Sequence, residues 1–229
     1  MDILFGGTSE GRALAGEYLA RGEALLVCVT SEYARALMPA GVRCRVGALD
    51  EAGMRALFER ERPARVIDAT HPFAVNVTEN IRRCCAQLGI ERVRMERPVD
   101  ASDGWRECVE WVSDARAAAE ALARTQGNVL LTTGSHTLGE YAARVAKERL
   151  YARVLPTARV LAQCEALGLP PGHVIAMQGP FTREFNAALY AMLDIAVVVS
   201  KDSGDAGGVT EKVLPALARG AHVIMIARP

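Results

Sequence analysis

Short apolar runs alternate with stretches whose apolar positions recur every three to four residues, from one end of the chain to the other. Runs at 2–5, 24–29, 42–46, 65–69 and 91–95 have strand length. Between them, 9–21, 31–38, 51–60 and 73–88 carry the helical period. At 98–110 the rhythm breaks, and Pro98, Asp100, Ser102, Asp103 and Gly104 mark a linker or crossing segment. A second series follows, with strands expected at 128–132, 150–155, 173–177, 195–200 and 222–226. Its helices are expected near 113–124, 137–147, 158–167, 182–192 and 208–219. Strand–helix alternation predicts parallel sheets covered by helices. The reading is α/β, with two Rossmann-like lobes at 1–98 and 99–229, each a parallel sheet flanked by helices. One continuous sheet is the alternative.

Composition narrows the function classes. The 229 residues are 50% hydrophobic and 24% charged, which excludes disorder and a stand-alone coiled coil. Lys+Arg and Asp+Glu are both 27, so the basic excess of a nucleic-acid binder is missing. Aromatics at 5% do not suit base-stacking platforms. No apolar run reaches membrane-spanning length. Met1–Phe5 runs straight into Gly6-Gly7, leaving no room for a signal peptide. The six cysteines form no C-x-x-C and the four histidines are scattered, so reduced cytoplasmic thiols are expected and no metal site.

The polar and glycine-rich clusters fall where strands end and helices begin, the ligand-binding edge of an open parallel sheet. Gly6-Gly7-Thr8-Ser9-Glu10-Gly11-Arg12 follows the first strand. It matches the first half of a phosphate loop, but Arg12 and Ala13 stand where Lys and Ser/Thr would be. A dinucleotide therefore fits better than a triphosphate; the same residues also read as a tight turn capped by Thr8 or Ser9. Thr30 and Ser31, with Arg35, could hold a 2′-phosphate, which leans to NADPH over NADH, or could merely cap the next helix. Asp68-Ala69-Thr70-His71-Pro72-Phe73-Ala74 ends the fourth strand, and Pro72 keeps His71 extended. His71 reads equally as a packing or capping residue and as a ligand contact. Three further loops contain Thr133-Gly134-Ser135, Gly179-Pro180-Phe181 and Ser200-Lys201-Asp202-Ser203-Gly204. Lys201, a cation at a strand end beside glycine, suits an anionic ligand; a surface salt bridge is its other reading.

These five motifs, in this order and spanning essentially the whole chain, resemble the precorrin-6A reductase family of cobalamin biosynthesis, including its cobalt-precorrin-6A reductases. The resemblance implies reduction of one double bond of the precorrin-6A macrocycle, with NADPH or NADH as hydride source, in a cleft between the lobes. Carried over by position, Gly6, Gly7, Thr8, Ser9, Glu10, Gly11, Thr30, Ser31, Thr70, Pro72 and Phe73 would serve the cofactor. Gly134, Ser135, Gly179, Pro180, Phe181, Lys201 and Ser203 would meet the corrinoid substrate. His71, Asp202 and solvent are all candidate proton sources, with no metal required of the protein. Beyond the substrate, the expected partners are neighbouring pathway enzymes in transient contact, with no nucleic acid and no membrane. A two-lobed nucleotide- or anion-binding module without turnover is the competing reading, and a methyltransferase of the same pathway is a second enzyme class.

Overall fold

A computed structural model describes residues 1–95, 104–204 and 207–229. The chain forms two compact units, Met1–Arg97 and Pro98–Pro229. The expected boundary at 98/99 and the linker residues Pro98, Asp100, Ser102 and Asp103 lie outside the described residues.

Unit 1 contains β1 (Asp2–Phe5), α1 (Ser9–Ala20), β2 (Leu25–Val29), α2 (Glu32–Ala36) and β3 (Arg43–Val46). It continues through α3 (Glu51–Glu61), β4 (Arg65–Asp68), α4 (Val75–Leu88) and β5 (Glu91–Arg94). The sheet order is β3-β2-β1-β4-β5 and every pairing is parallel. Strands β1 and β2 are buried throughout because helices cover both faces. Ile3, Phe5, Leu26 and Cys28 pack with Met54, Leu57, Phe58 and Ile81 on one face. Leu4, Val27 and Val29 pack with Ala15 and Tyr18 on the other.

Unit 2 opens with the 3-10 turn Gly104–Cys108, then β6 (Glu110–Val112), α5 (Ala115–Leu122), β7 (Asn128–Leu131), α6 (Leu138–Ala142) and β8 (Leu150–Val154). It closes with α7 (Ala158–Ala166), β9 (Val174–Ala176), α8 (Arg183–Met192), β10 (Ile195–Lys201), α9 (Val209–Ala218) and β11 (His222–Ile226). The order is β6-β11-β10-β7-β8-β9, again all parallel. The two separate sheets exclude the single continuous one.

Three expectations need correction. The helix at 31–38 is confined to Glu32–Ala36, because Leu37 and Met38 close tight i→i+3 bonds and Pro39 has no N–H to continue. The helix at 73–88 begins only at Val75, after a turn in which Ala74 N–H donates to His71 O at 2.8 Å. The helix at 137–147 stops at Ala142; Arg144 already bonds back to Tyr141, and a 3-10 turn at Lys147–Arg149 leads into β8. Within the break at 98–110, the described part is ordered and adds an edge strand, β6, that the apolar pattern of three residues does not reveal.

Candidate active site

In unit 1 the chain steps outward from β1 to β2 and β3, then returns to β4 on the other side. The point of reversal lies between β1 and β4, where diverging loops leave a crevice at the carboxyl ends. Thr8 ties these loops together: its Oγ1 donates to Ala69 O at 2.9 Å and accepts from Gly11 N–H at 3.1 Å, capping α1. Gly6 is pressed against the same carbonyl. A Cβ there would sit 2.9 Å from Ala69 O, so only glycine lets the two loops approach. Gly7 is exposed, and Arg12 donates to its carbonyl at 2.9 Å. Ser9 donates to Glu10 at 2.9 Å. One strand over, Thr30 is exposed, while Ser31 caps α2 by accepting from Ala34 N–H at 3.2 Å. Arg35 pairs with Glu32 at 2.5 Å on the exposed face of α2.

Beyond Ala69, Asp68 organises the second loop. Its carboxylate is fully buried and accepts from Thr70 Oγ1 at 2.8 Å and Thr70 N–H at 3.2 Å. Arg94 donates to it at 2.6 Å and Arg92 at 3.4 Å, both from β5. The loop so anchored carries His71, whose Nδ1 accepts from Phe73 N–H at 3.3 Å, with the two rings 5.7 Å apart. That contact assigns the proton of a neutral imidazole to Nε2.

In unit 2 the reversal lies between β7 and β10. Thr132 N–H and Oγ1 both donate to Val199 O at 2.9 Å, holding the strand ends together. Gly134 adopts φ +79° before the turn carrying Ser135, whose carbonyl accepts from Gln163 at 2.9 Å. Lys201 ends β10, and burial holds its ammonium below the ordinary lysine value. Next to it Asp202 is buried; Arg106 donates to its carboxylate at 3.0 Å, and Arg228 Nε donates to its carbonyl at 3.0 Å. Ser203, also buried, donates its N–H to Lys201 O at 2.7 Å. Gly179, Pro180 and Phe181 follow β9, with Gly179 and Pro180 exposed and Phe181 half-buried. Among the described residues no group of His, Cys, Asp and Glu could hold a metal ion, and no helix is long and apolar enough to cross a membrane.

The family model for the precorrin-6x reductases CbiJ/CobK matches residues 3–229. The chain belongs to the precorrin-6x reductase family. A cobalt-precorrin-6A reductase of Salmonella typhimurium is 38% identical, the match covering 99% of this chain and 87% of the relative. A precorrin-6A reductase of Mycobacterium tuberculosis is 32% identical over 99% of this chain and 88% of the relative. A solved precorrin-6A reductase, CobK, superposes with a TM-score of 0.81 at 27% identity, covering all of this chain and 88% of that one.

Within this precorrin-6x reductase, unit 1 gathers Gly6–Gly11 and Thr70–Phe73 at one reversal point, with Thr30 and Ser31 on the neighbouring strand end. Unit 2 brings Gly134 and Ser135 to the reversal point that also carries Lys201–Ser203, while Gly179–Phe181 lie two strands away beyond β8. Sequence reasoning named Asp68 within its motif but gave it no role, and missed the arginines that hold these loops: Arg92, Arg94, Arg106 and Arg228. The available signal was a strand ending in Asp before Ala-Thr-His, followed by a strand, Glu-Arg-Val-Arg, with arginine at every second place. Arg106 lies in the segment read as linker, where nothing local signals a partner 96 residues away.

Proposed function

We propose that the protein catalyses reduction of one double bond of the precorrin-6A macrocycle to precorrin-6B in cobalamin biosynthesis, with a reduced nicotinamide cofactor. The observation that carries the reading is a family match running through nearly every residue of the chain. The residues at the β1/β4 reversal fit a dinucleotide: a glycine whose Cβ position is filled by backbone, an exposed second glycine, and a helix N-terminus beside them. When bound, the cofactor supplies a hydride for one ring carbon while a proton reaches its neighbour.

The chain's own task is alignment and charge. Gly6, Gly7 and the first turn of α1 receive the diphosphate, and Thr8 fixes their spacing to the Thr70–Phe73 loop. Asp68 holds that loop through Thr70, and Pro72 and Phe73 shape its surface. His71 orients the reacting partners through Nε2–H, with that proton or solvent completing the addition. Asp202 is assigned a positioning role beside its candidacy as a proton source, because Arg106 donates to its carboxylate at 3.0 Å and Arg228 to its carbonyl at 3.0 Å. It steadies Lys201 and Ser203, which with Gly134, Ser135 and Gly179–Phe181 meet the macrocycle's carboxylates. A cytoplasmic setting belongs to the same proposal and is supported by six unpaired cysteines.

The test is anaerobic turnover of metal-free and cobalt-loaded precorrin-6A, each with NADPH and with NADH. Loss of reduced-nicotinamide absorbance in step with dihydro product is expected, faster with NADPH. Binding of both ligands with no turnover in any combination would favour the binding-module reading. In the same assay His71→Asn is expected to keep substantial activity with a flattened pH profile. A loss of about 10²–10⁴-fold would make His71 the general acid.

A further inference from the structure

Unit 2 buries a cation for which the motifs above have no use. Arg153, in β8, is 6% exposed, and among the described residues no carboxylate pairs with it. Its Nη1 donates to Asn186 Oδ1 at 2.7 Å; Nη2 is buried and finds no hydrogen-bond partner among the described residues. Asn186 cannot offer more. Its amide donates to the carbonyls of Thr182 and Glu211 at 2.9 Å, and the Tyr190 hydroxyl, 3.4 Å from Oδ1, has a nearer acceptor in Lys212 O at 3.1 Å. The Phe181 ring covers the guanidinium at 4.2 Å, and stacks in turn on Phe185. Folds avoid an unpaired buried charge unless something else requires it.

The strand register places a second unsatisfied group in the same row. Val199 pairs with Leu131 and Leu131 with Ala152, so Ser200, Thr132 and Arg153 come next across β10, β7 and β8. Ser200 pairs with Met225 and Arg153 with Ile175, both of which belong to the apolar face beneath α8 and α9. Ser200 is fully buried and its hydroxyl has no hydrogen-bond partner among the described residues. Two strand spacings, about 10 Å, separate its Cα from that of Arg153, a gap that a long side chain and a carboxylate can bridge.

We infer that Arg153 and Ser200 form a carboxylate-binding subsite at the carboxyl edge of unit 2, roofed by Phe181, that takes one side-chain carboxylate of the tetrapyrrole. The inference rests on the macrocycle reading given above. A guanidinium offers parallel N–H groups in the plane that a carboxylate accepts, and a serine hydroxyl supplies a further donor. Phe181 adjoins the exposed residues Met177–Pro180, and the inference has the carboxylate enter from that side and take the place of its ring over the guanidinium. Ligand hydrogen bonds then replace the aromatic contact.

Fluorescence titration with uroporphyrin I, a tetrapyrrole octacarboxylate, tests this in the parent, Arg153→Gln and Ser200→Ala, alongside NADPH titrations. Loss of one charge-assisted contact predicts about 10–150-fold weaker uroporphyrin binding by Arg153→Gln, and a smaller loss by Ser200→Ala, with NADPH affinity unchanged. Arg153→Gln binding uroporphyrin as the parent does would overturn the subsite alone. A parent that does not bind uroporphyrin would remove the macrocycle reading along with it. Should Arg153→Gln fail to fold, the guanidinium ¹⁵N–H resonance of Arg153 in the parent serves instead. It should move on saturation with uroporphyrin, and an unmoved resonance would sink the inference.

Discussion

Asp68 and Asp202 occupy corresponding places, each at a reversal point of its unit's sheet, yet they are held in different ways. The arginines of Asp68 come from the adjacent strand of the same sheet, and Arg94 stands directly opposite in register. Asp202 is held by Arg106, which precedes β6, and by Arg228, which follows β11. Arg106 itself lies against the stacked Trp105 and Trp111, at 5.2 and 4.6 Å from their ring centres. The first loop is thus fixed by local strand pairing, and the second by segments from opposite ends of its unit. A difference of this kind teaches that unit 2's loop depends on the whole unit being assembled, whereas the ion pairs of Asp68 need only β4 and β5, with Thr8 adding the tie to α1.

The largest effect should come from removing the carboxylates. Asp68→Ala leaves two guanidinium groups facing a buried space and should cost about 3–5 kcal/mol in denaturant unfolding. Asp202→Ala should also destabilise, and in protein that remains folded it should weaken macrocycle binding while sparing the cofactor. Equal loss of both ligands in Asp202→Ala would erase the contrast between the units.

Lys201→Ala comes next. Removing one charge-assisted contact worth about 1.5–3 kcal/mol should weaken macrocycle binding about 10–150-fold. The loss should appear in KM more than in kcat, and added salt should narrow it. If NADPH binding collapses and macrocycle binding survives, Lys201 belongs with the cofactor instead.

The glycines of the first loop sharpen the picture within unit 1. Gly6→Ala forces a methyl group to 2.9 Å from a backbone oxygen and should cost about 1–3 kcal/mol together with cofactor affinity. Gly11 has only ordinary contacts, at 3.4 Å and beyond, so Gly11→Ala should be near neutral or gain up to about 1 kcal/mol of helix propensity. Paired melting curves and cofactor titrations decide between them; similar losses at both sites would show that the β1/β4 contact is not what the loop protects. The smallest effect is Ser31→Ala, which removes the α2 cap at about 1 kcal/mol. NADPH affinity should hold, and a fall specific to NADPH over NADH would give Ser31 the 2′-phosphate.

Much of the architecture was legible because strands buried on both faces must be apolar at successive positions. Asp2–Phe5, Leu25–Val29 and Ile195–Val199 announce themselves in this way. Edge strand β6, only Glu110–Val112, is half-buried and polar at its first residue, so no run marks it. Helix ends at Ala36 and Ala142 were misplaced because the apolar period runs on past the point where tight i→i+3 bonds, and after Ala36 the nearby Pro39, end the helix. The glycine loop was read as a candidate ligand site, but its tightest position, Gly6, is set by contact with a residue 63 places further on.

The order of strands and helices, the parallel alternation and the succession of glycine-bearing loops were determined by the sequence itself, since each depends on residues close together in the chain. Only the tertiary structure decided which charges meet. Asp68 finds its arginines 24 and 26 residues away, Asp202 pairs with Arg106 across 96, and Arg153 is buried with no carboxylate among the described residues. Such pairings follow from strand order and register, which cooperative packing of the whole unit selects, and no local pattern of residues encodes them.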